Sequence, residues 1–288
     1  MGQTKRNAIW AAKAAALLAM VLGGVLFCAG KAAGAATDLQ WTWMKGSNTI
    51  GQPGVYGTIL TPDSANTPGA RDDAVSWTDP SGVLWLFGGF GMEKTYTKGR
   101  LNDLWKYEPS TGNWTWMKGS DTIGQSGVYG TPGVAAAANT PGARYDAFSW
   151  TDSAGALWLF GGYGYDGSGD WGCLNDLWKY DRATNQWAWM KGSNGNTQSG
   201  IYGIRGTAAV ANTPGGRYGS VSWTDAAGAL WLFGANGYDK NNNQGALNDL
   251  WKYDPVTGNW TWMKGSDTIN QTGIYGMLGT AAAGNTPG

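Results

Sequence analysis

The sequence predicts an all-β fold built from one four-stranded unit that is copied along the chain. Three observations lead to this prediction: an exact internal period, an excess of glycine and aromatic residues, and short apolar runs bounded by turn residues. The 288 residues include 48 Gly, 19 Trp and 13 Tyr, and this glycine content is more than double the usual value of about 7%. Such a composition favours many short strands joined by tight turns.

The first 36 residues have the organisation of a secretory signal peptide. Lys5, Arg6 and Lys13 precede an uncharged apolar run at residues 14–30, and small residues follow as far as Ala36. This order is typical of a cleaved signal, with a permanent membrane helix as the alternative because the run has the minimum length of a span. We expect a protein that is secreted, either extracellular or in the cell envelope or periplasm, with no stable membrane insertion after cleavage.

The expected mature chain, residues 37–288, is mildly acidic. The signal peptide contains four of the 20 basic residues and none of the 20 acidic ones, so 16 basic residues face 20 acidic ones. This balance provides no basic stripe of the kind that binds nucleic acid. Cys173 is the single cysteine of this region, so it is either inert or available for an intermolecular disulfide.

The internal period is the strongest feature of the chain. The motif Trp-x-Trp-Met-Lys-Gly-Ser begins at Trp41, Trp114, Trp187 and Trp260, and each interval is 73 residues. No insertion breaks this register in the other repeated motifs. Fixed self-similarity of this kind indicates a repeat architecture.

Each unit divides into four predicted strands, which are clearest in the second unit. The first strand starts at Arg144, and the second, residues 156–160, is apolar throughout as expected for a strand buried on both faces. The glycine pair at 161–162 ends it. The third strand, residues 175–181, alternates in character, and the fourth carries the Trp-x-Trp pair that begins at Trp187.

A four-stranded unit with two apolar faces must stack against copies of itself, and radial stacking is the β-propeller solution. The Arg-led strand, the apolar strand ending in Gly-Gly and the spaced Tyr and Trp resemble the kelch motif, here of a secreted bacterial type. The resemblance covers residues 71–117, 144–190 and 217–263, and it implies kelch-type blades. The third unit departs from it with Gly234-Ala235 in place of the glycine pair, and the period exceeds the usual kelch length of about 50 residues.

The number of units is unusual for this fold. The sequence predicts three complete blades plus one orphan strand at residues 41–45, whereas propellers have about four to eight blades. The final residues align with those just before Arg217. We therefore expect an incomplete propeller truncated at its C-terminus, with closure of a six-bladed ring by two chains as the alternative.

The composition excludes several activities of related proteins, because the chain contains no His. Galactose oxidase, an enzyme of the resembled superfamily, holds copper partly with His, and iron-dependent kelch proteins also use a His ligand. Without Cys or His clusters we expect no metal and no cofactor. A metal-free carbohydrate-active enzyme of the mutarotase or epimerase type, using Asp and Arg, stays as an alternative.

Charged residues that recur in every unit are predicted to be architectural. They are Arg71, Arg144 and Arg217, together with Asp103, Asp176 and Asp249. A group present in every blade is a poor candidate for a unique catalytic centre. We expect each Arg to be buried and paired, in keeping with the cost of an unpaired buried charge.

Residues that break the repeat are the better functional candidates. Trp171 is the one tryptophan of residues 37–288 outside the repeated positions. It lies in a predicted loop between the second and third strands, and the corresponding loops span residues 90–100 and 236–246. Since strands alternate in direction, these loops and the long connections between units emerge on one face, where binding residues commonly lie. The candidate ligand-binding residues of this long-loop face are Tyr163, Tyr165, Asp166, Asp170, Trp171, Tyr238 and Asp239.

The sequence favours a binding or scaffold protein whose long-loop face contacts a glycan or protein partner, since Tyr, Trp, Asn and Asp suit both. Packing of Trp171 against neighbouring loops, and a purely structural surface repeat, are the alternatives. The segments starting at Asp166 and Asp239 resemble the beginning of a calcium loop but lack its Gly and Glu. They are therefore interpreted as polar loops.

Overall fold

The computed structural model describes residues 40–219 and 221–288, and the predicted signal peptide lies outside them. The chain divides into two units, residues 1–43 and 44–288, and every strand of the described residues belongs to the second. All regular secondary structure in the described residues is β-strand, as the all-β prediction requires. No described segment forms a helix with the length and apolar character needed to cross a membrane.

The strands recur with the period of the sequence. Those of the first repeat are β1 (Arg71–Asp72), β2 (Val75–Thr78), β3 (Leu84–Phe87), β4 (Phe90–Met92), β5 (Lys98–Arg100), β6 (Leu104–Glu108) and β7 (Asn113–Lys118). Those of the second are β8 (Ala135–Ala136), β9 (Arg144–Tyr145), β10 (Phe148–Thr151), β11 (Leu157–Phe160), β12 (Tyr163–Tyr165), β13 (Trp171–Cys173), β14 (Leu177–Asp181) and β15 (Gln186–Lys191). Those of the third are β16 (Arg217–Tyr218), β17 (Val221–Thr224), β18 (Leu230–Tyr238), β19 (Gln244–Asp254) and β20 (Asn259–Lys264).

Each repeat forms a four-stranded antiparallel sheet, as the sequence predicts. The strand orders are β2-β3-β6-β7, β10-β11-β14-β15 and β17-β18-β19-β20. The register is the same in each sheet, with a tryptophan pair across the first two strands: Trp77 with Trp85, Trp150 with Trp158, and Trp223 with Trp231. Identical motifs therefore produce identical pairing.

The first predicted strand is interrupted, so it forms two short strands in each repeat. Asp73 and Asp146 have φ values of 52°, and Gly219 has a φ of 70°. This left-handed conformation breaks an extended strand. The part before the break pairs with β4, β12 or β18 on the long-loop face. The part after the break joins the four-stranded sheet.

The loops predicted between the second and third strands are β-hairpins. Strands β4 and β5 pair in the first repeat and β12 and β13 in the second, while β18 and β19 extend without interruption in the third. These segments form hairpins because the second and third strands of each repeat pair again beyond the glycine pair, which is Gly234-Ala235 in the third repeat. The long-loop face is thus a row of hairpins at residues 90–100, 163–173 and 236–246.

Consecutive sheets stack face to face and form two apolar cores. The first junction, between repeats one and two, buries Trp77, Phe87, Leu157 and Trp178. The second junction, between repeats two and three, buries the equivalent side chains of the next pair. Indole N–H groups join the sheets directly: Trp77 Nε1 donates to the Trp158 carbonyl at 3.1 Å, and Trp150 Nε1 to that of Trp231 at 2.9 Å. This stacking is the propeller-like arrangement that the apolar faces predict.

The long connection between repeats covers the outer edge of the following sheet. Between repeats one and two, β8 pairs with β15, Gly133 N donates to the Trp189 carbonyl at 2.7 Å, and Asn139 Nδ2 donates to that of Trp187 at 3.1 Å. An uncovered outer strand would present unpaired backbone groups to other chains. The long connection therefore protects the sheet edge.

Residues 41–45, predicted as an orphan strand, form no strand in the structure. In each described repeat the fourth strand is hydrogen-bonded to the third strand of the same repeat. Where the Trp-x-Trp motif forms a strand, it does so beside the third strand of its own repeat.

The recurring Arg and Asp residues form one network per repeat, as predicted. Arg144 donates from both terminal nitrogens to the two Asp176 carboxylate oxygens, each at 2.7 Å. The Tyr129 hydroxyl and the Trp178 indole also donate to Asp176 at 2.7 Å. Burial and the Asp176 charge raise the pKa of Tyr129 far above its usual value, so the phenol stays a donor. The equivalent ion pairs are Arg71 with Asp103 and Arg217 with Asp249.

An arginine–aromatic cluster as the candidate functional site

The three repeats differ at a small group of positions on the long-loop face and the adjoining first strands. The buried Arg, Asp and Trp residues of the framework are the same in every repeat, whereas these positions change chemical class. The equivalent residues are Asp72, Tyr145 and Tyr218; Phe90, Tyr163 and Asn236; Met92, Tyr165 and Tyr238; Lys98, Trp171 and Gln244; Arg100, Cys173 and Ala246. Variation on a constant scaffold is where a binding site is expected.

At the first junction these positions bring one cation and four aromatic rings together. The Arg100 guanidinium carbon lies 4.8 Å from the ring centroid of Trp171 and 5.3 Å from that of Tyr163. The corresponding distances to Tyr145 and Tyr165 are 5.5 and 5.7 Å. All four are within the range of a cation–π interaction. We refer to these five residues as the Arg100 cluster.

The cluster combines side chains of two repeats, which a backbone hydrogen bond joins beside it: Arg144 N donates to the Leu101 carbonyl at 3.0 Å. Arg100 is the last residue of β5 in the first repeat, whereas the four rings lie on β9, β12 and β13 of the second. Tyr163 and Tyr165 alternate along β12 and therefore project from the same side of the hairpin. Trp171 is paired directly with Tyr165 across the ladder, which fixes its position beside them.

The aromatic surface continues beyond the cluster. Tyr163 contacts Trp171 edge-on at 5.5 Å between centroids, and it contacts Tyr218 of the third repeat at 5.3 Å. On the other side, Tyr145 contacts Phe90 of the first repeat at 6.0 Å. The rings thus form a continuous strip across both junctions.

Trp171 is the exposed member of the strip. Its side chain is 54% exposed, whereas the framework residue Trp178 is 0% exposed. Trp171 is therefore available to an external ligand, while Tyr145, Tyr163 and Tyr165 are half-buried supports. Burial raises the pKa of Tyr163 and the Arg100 charge opposes that rise, so the hydroxyl is neutral at physiological pH.

Two of the predicted site residues, Asp166 and Asp239, hold hairpin turns. Asp166 Oδ1 accepts hydrogen bonds from the backbone N–H groups of Ser168 at 2.8 Å and Asp170 at 3.0 Å. Asp239 is fully buried and accepts the N–H groups of Asn241 and Asn243 at 2.8 and 2.9 Å. The structure therefore does not bring these two carboxylates into the Arg100 cluster.

The remaining predicted residues lie at different depths of the long-loop face. Asp170 is exposed at the tip of the second hairpin. Tyr238 is half-buried, and its hydroxyl donates to Gln244 Oε1 at 3.2 Å within the third hairpin. In the described residues, no three or more His, Cys, Asp or Glu side chains are arranged to hold a metal ion.

Cys173 occupies at the second junction the position that Arg100 occupies at the first. The thiol is buried, and burial raises its pKa to about 11, so the reactive thiolate is disfavoured. Gln244 Nε2 donates to its sulfur at 3.7 Å. Of the two alternatives for this cysteine, the structure favours the inert one.

Arg100, Tyr145 and Tyr218 are residues of the site that the sequence reasoning did not single out. The comparison of tryptophans alone selected Trp171, because the other tryptophans repeat. The same comparison applied to every residue type would have selected Arg100, whose equivalents are Cys173 and Ala246. The contact between Arg100 and Trp171 follows only from the closeness of two hairpins that belong to separate sheets.

A groove with a volume of about 450 Å³ lies away from this site. Its cations are already paired: Arg182 donates to Asp79 and to the Gly155 carbonyl, each at 2.6 Å, and Lys179 lies 3.6 Å from Asp152. A groove whose polar groups bind one another offers little to a ligand. The Arg100 cluster is the stronger candidate.

Comparison with known proteins gives a structural likeness and no named family. No family model and no curated protein matches the chain. A solved structure described as "Structure of YjhT" is similar, with a TM-score of 0.46 and 17% sequence identity over 70% of this chain. The match spans about half of that protein, 54% of its length.

Proposed function

We propose that this is an exported kelch-type binding protein that contacts a glycan through the Arg100 cluster. The observation that carries the proposal is the position of the cluster. An exposed tryptophan, three half-buried tyrosines and a cation coincide where the repeats differ in sequence. Export is proposed from the signal-like residues 1–36, and the kelch relationship from the repeated motifs.

A glycan suits this surface for chemical reasons. The apolar C–H face of a sugar ring packs on an exposed aromatic ring, while tyrosine hydroxyls and a guanidinium supply hydrogen bonds to sugar oxygens. The exposed face of Trp171 and the neighbouring Arg100 provide both kinds of contact within one site. Mostly aromatic and apolar side chains with a small number of polar groups are the usual composition of ligand sites.

The two alternative functions have less support. A metal-free enzyme needs a carboxylate or another acid–base group near its ligand, and the carboxylates of Asp166 and Asp239 are bonded to backbone N–H groups instead. A purely structural repeat gives no reason for five variable positions to converge at one junction. Binding is the function that uses these positions.

The test compares one tryptophan of the site with one of the framework. Trp171→Ala should weaken glycan binding by about 1–3 kcal/mol, the range for loss of an aromatic stacking contact, with little change in melting temperature. Trp158→Ala should instead lower the free energy of unfolding by about 3–5 kcal/mol, because that side chain is 1% exposed. Glycan-array screening followed by calorimetry measures the first effect, and thermal unfolding the second.

Equal losses of melting temperature in the two variants would contradict this division of roles. Absence of binding to every glycan on the array would overturn the proposed function. Turnover of a sugar that an Asp substitution on the long-loop face abolishes would favour the enzyme alternative.

A further inference from the structure

We infer that the Arg100 cluster binds the acidic group of an anionic saccharide, with the Arg100 guanidinium donating to a carboxylate or sulfate. This inference rests on the proposed glycan-binding function and specifies the ligand class. The starting observation is that Arg100 forms no ion pair and no side-chain hydrogen bond with any described residue. Its Nε atom is buried without a partner.

The framework arginines show which hydrogen bonds a fully paired guanidinium forms in this protein. Arg144 donates to Asp176, to the Gly161 carbonyl at 2.9 Å and to the Gly142 carbonyl at 3.0 Å. Arg217 makes the equivalent bonds in the third repeat. A half-buried arginine that lacks all of these is an exception, because desolvated charges are normally paired.

The surrounding rings hold the guanidinium in place without neutralising it. Four rings lie within 5.7 Å of its carbon, and they attract the cation through their quadrupoles. They contribute no acceptor comparable to a carboxylate. Nε is buried and unpartnered, and the two terminal nitrogens donate to no described residue, so the guanidinium keeps a planar fork of free donors. Such a fork matches the two oxygens of a carboxylate or sulfate.

Neighbouring charges leave Arg100 as the free cation of this junction within the described residues. Lys98 lies 3.7 Å from Asp72 and its ammonium sits 4.8 Å from the Phe90 centroid. Asp146 lies near other acids: burial and then the charges of Asp73 and Asp72 raise its pKa. The positive charge beside Trp171 is therefore available to an external anion.

Trp171 explains why the anion should be part of a sugar. Its indole is 54% exposed and lies 4.8 Å from the guanidinium carbon. A pyranose packed on or beside this ring would bring a ring substituent within reach of Arg100. At the second junction the equivalent residues are Cys173 and Gln244, so that junction offers neither the cation nor the indole.

The experiment uses matched charged and uncharged probes with the full chain. One pair is trigalacturonate and its methyl ester, and the other is a sulfated galactan oligosaccharide and its desulfated, neutral form. Calorimetry on the wild-type protein should show tighter binding of a charged member by about tenfold to a hundredfold, the range for hydrogen bonds to an ionised group. The arm that shows this preference distinguishes a carboxylate from a sulfate ligand.

Two substitutions test whether Arg100 is the cause of the preference. Arg100→Gln should reduce the ratio of charged to uncharged affinity to about one, and Arg100→Lys should recover only part of it, because lysine lacks the planar fork. Lys240→Gln is the control, since Lys240 is an exposed cation on the third hairpin that pairs with Asp267. It should keep the wild-type ratio. Thermal unfolding of each variant checks that the fold is retained.

The outcomes separate this inference from the function on which it rests. Equal affinity for charged and uncharged members, with binding that still depends on Trp171, would leave the glycan-binding function in place and overturn the inference. A preference for charged probes that survives Arg100→Gln would also overturn it. Failure of all four probes, together with a glycan array without any hit, would overturn both.

Discussion

At the second position of the glycine pair the three repeats have Gly89, Gly162 and Ala235, and the backbone is left-handed at all three. The φ values are 97°, 95° and 115°. A Cβ atom added at Gly89 would lie 2.6 Å from the Asp72 carbonyl oxygen, and one at Gly162 would lie 2.8 Å from that of Tyr145. The third repeat thus carries a side chain at a position built for glycine, where left-handed geometry costs about 1–2 kcal/mol.

Ala235→Gly should therefore raise the free energy of unfolding by about 1 kcal/mol, against the usual direction of an alanine-to-glycine change. Urea unfolding followed by tryptophan fluorescence measures the difference. Ala229→Gly is the matched control, because Ala229 is buried and has no positive φ. It should be destabilising by about 0.5–1 kcal/mol. A loss of stability in both variants would show that the strain at Ala235 is absent.

Within each repeat, the buried Arg–Asp pair connects the first predicted strand with the third. Arg144 and Asp176 are both fully buried, and every oxygen of the carboxylate has at least one donor. The network also reaches backbone outside the sheet ladders, because Arg144 donates to the Gly142 and Gly161 carbonyls at 3.0 and 2.9 Å. It is structural, which explains why the same residues recur without variation in every repeat.

Asp176→Asn should lower the free energy of unfolding by about 3–5 kcal/mol, because it leaves a buried guanidinium without its counter-charge. Asp267→Asn is the comparison, since the pair of Asp267 with Lys240 lies at the surface, and its loss should cost less than about 1 kcal/mol. Chemical denaturation of both variants gives the two values. Similar costs would mean that the buried pair contributes no more than a surface one.

The elements show which parts of the fold are encoded locally. The four sheet strands follow from apolar or alternating runs between turn residues, and the structure contains them close to their predicted positions. The hairpins at residues 90–100 and 163–173 were predicted as loops because their Gly and polar residues lack a strand pattern, while their stability comes from backbone pairing. The Arg100 cluster depends on contacts between repeats. Its ring partners lie 45 to 71 positions along the chain from Arg100, so only Trp171, Tyr163 and Tyr165 were identified beforehand.

Across the whole molecule, stability resides in the junctions between sheets. Both apolar cores combine side chains of two consecutive repeats, and neither is contained within one sheet. A single sheet would leave its tryptophans exposed, so the repeats must fold as a stack. The glycan site proposed above lies at the first junction for the same reason, because only neighbouring repeats bring Arg100 to the four rings.

Alanine substitution at the same tryptophan position should therefore lower the free energy of unfolding by different amounts in different repeats. Trp77 and Trp150 are 4% and 3% exposed, whereas Trp223 is 43% exposed. The first two donate across a junction to a carbonyl of the next sheet, while Trp223 stacks on Trp231 within its own sheet at 5.9 Å. Trp77→Ala should cost about 3–5 kcal/mol, and Trp223→Ala about 1 kcal/mol or less. Denaturant unfolding of the full chain at two protein concentrations gives both costs, and equal ones would mean that the outer face of the third sheet is covered in solution.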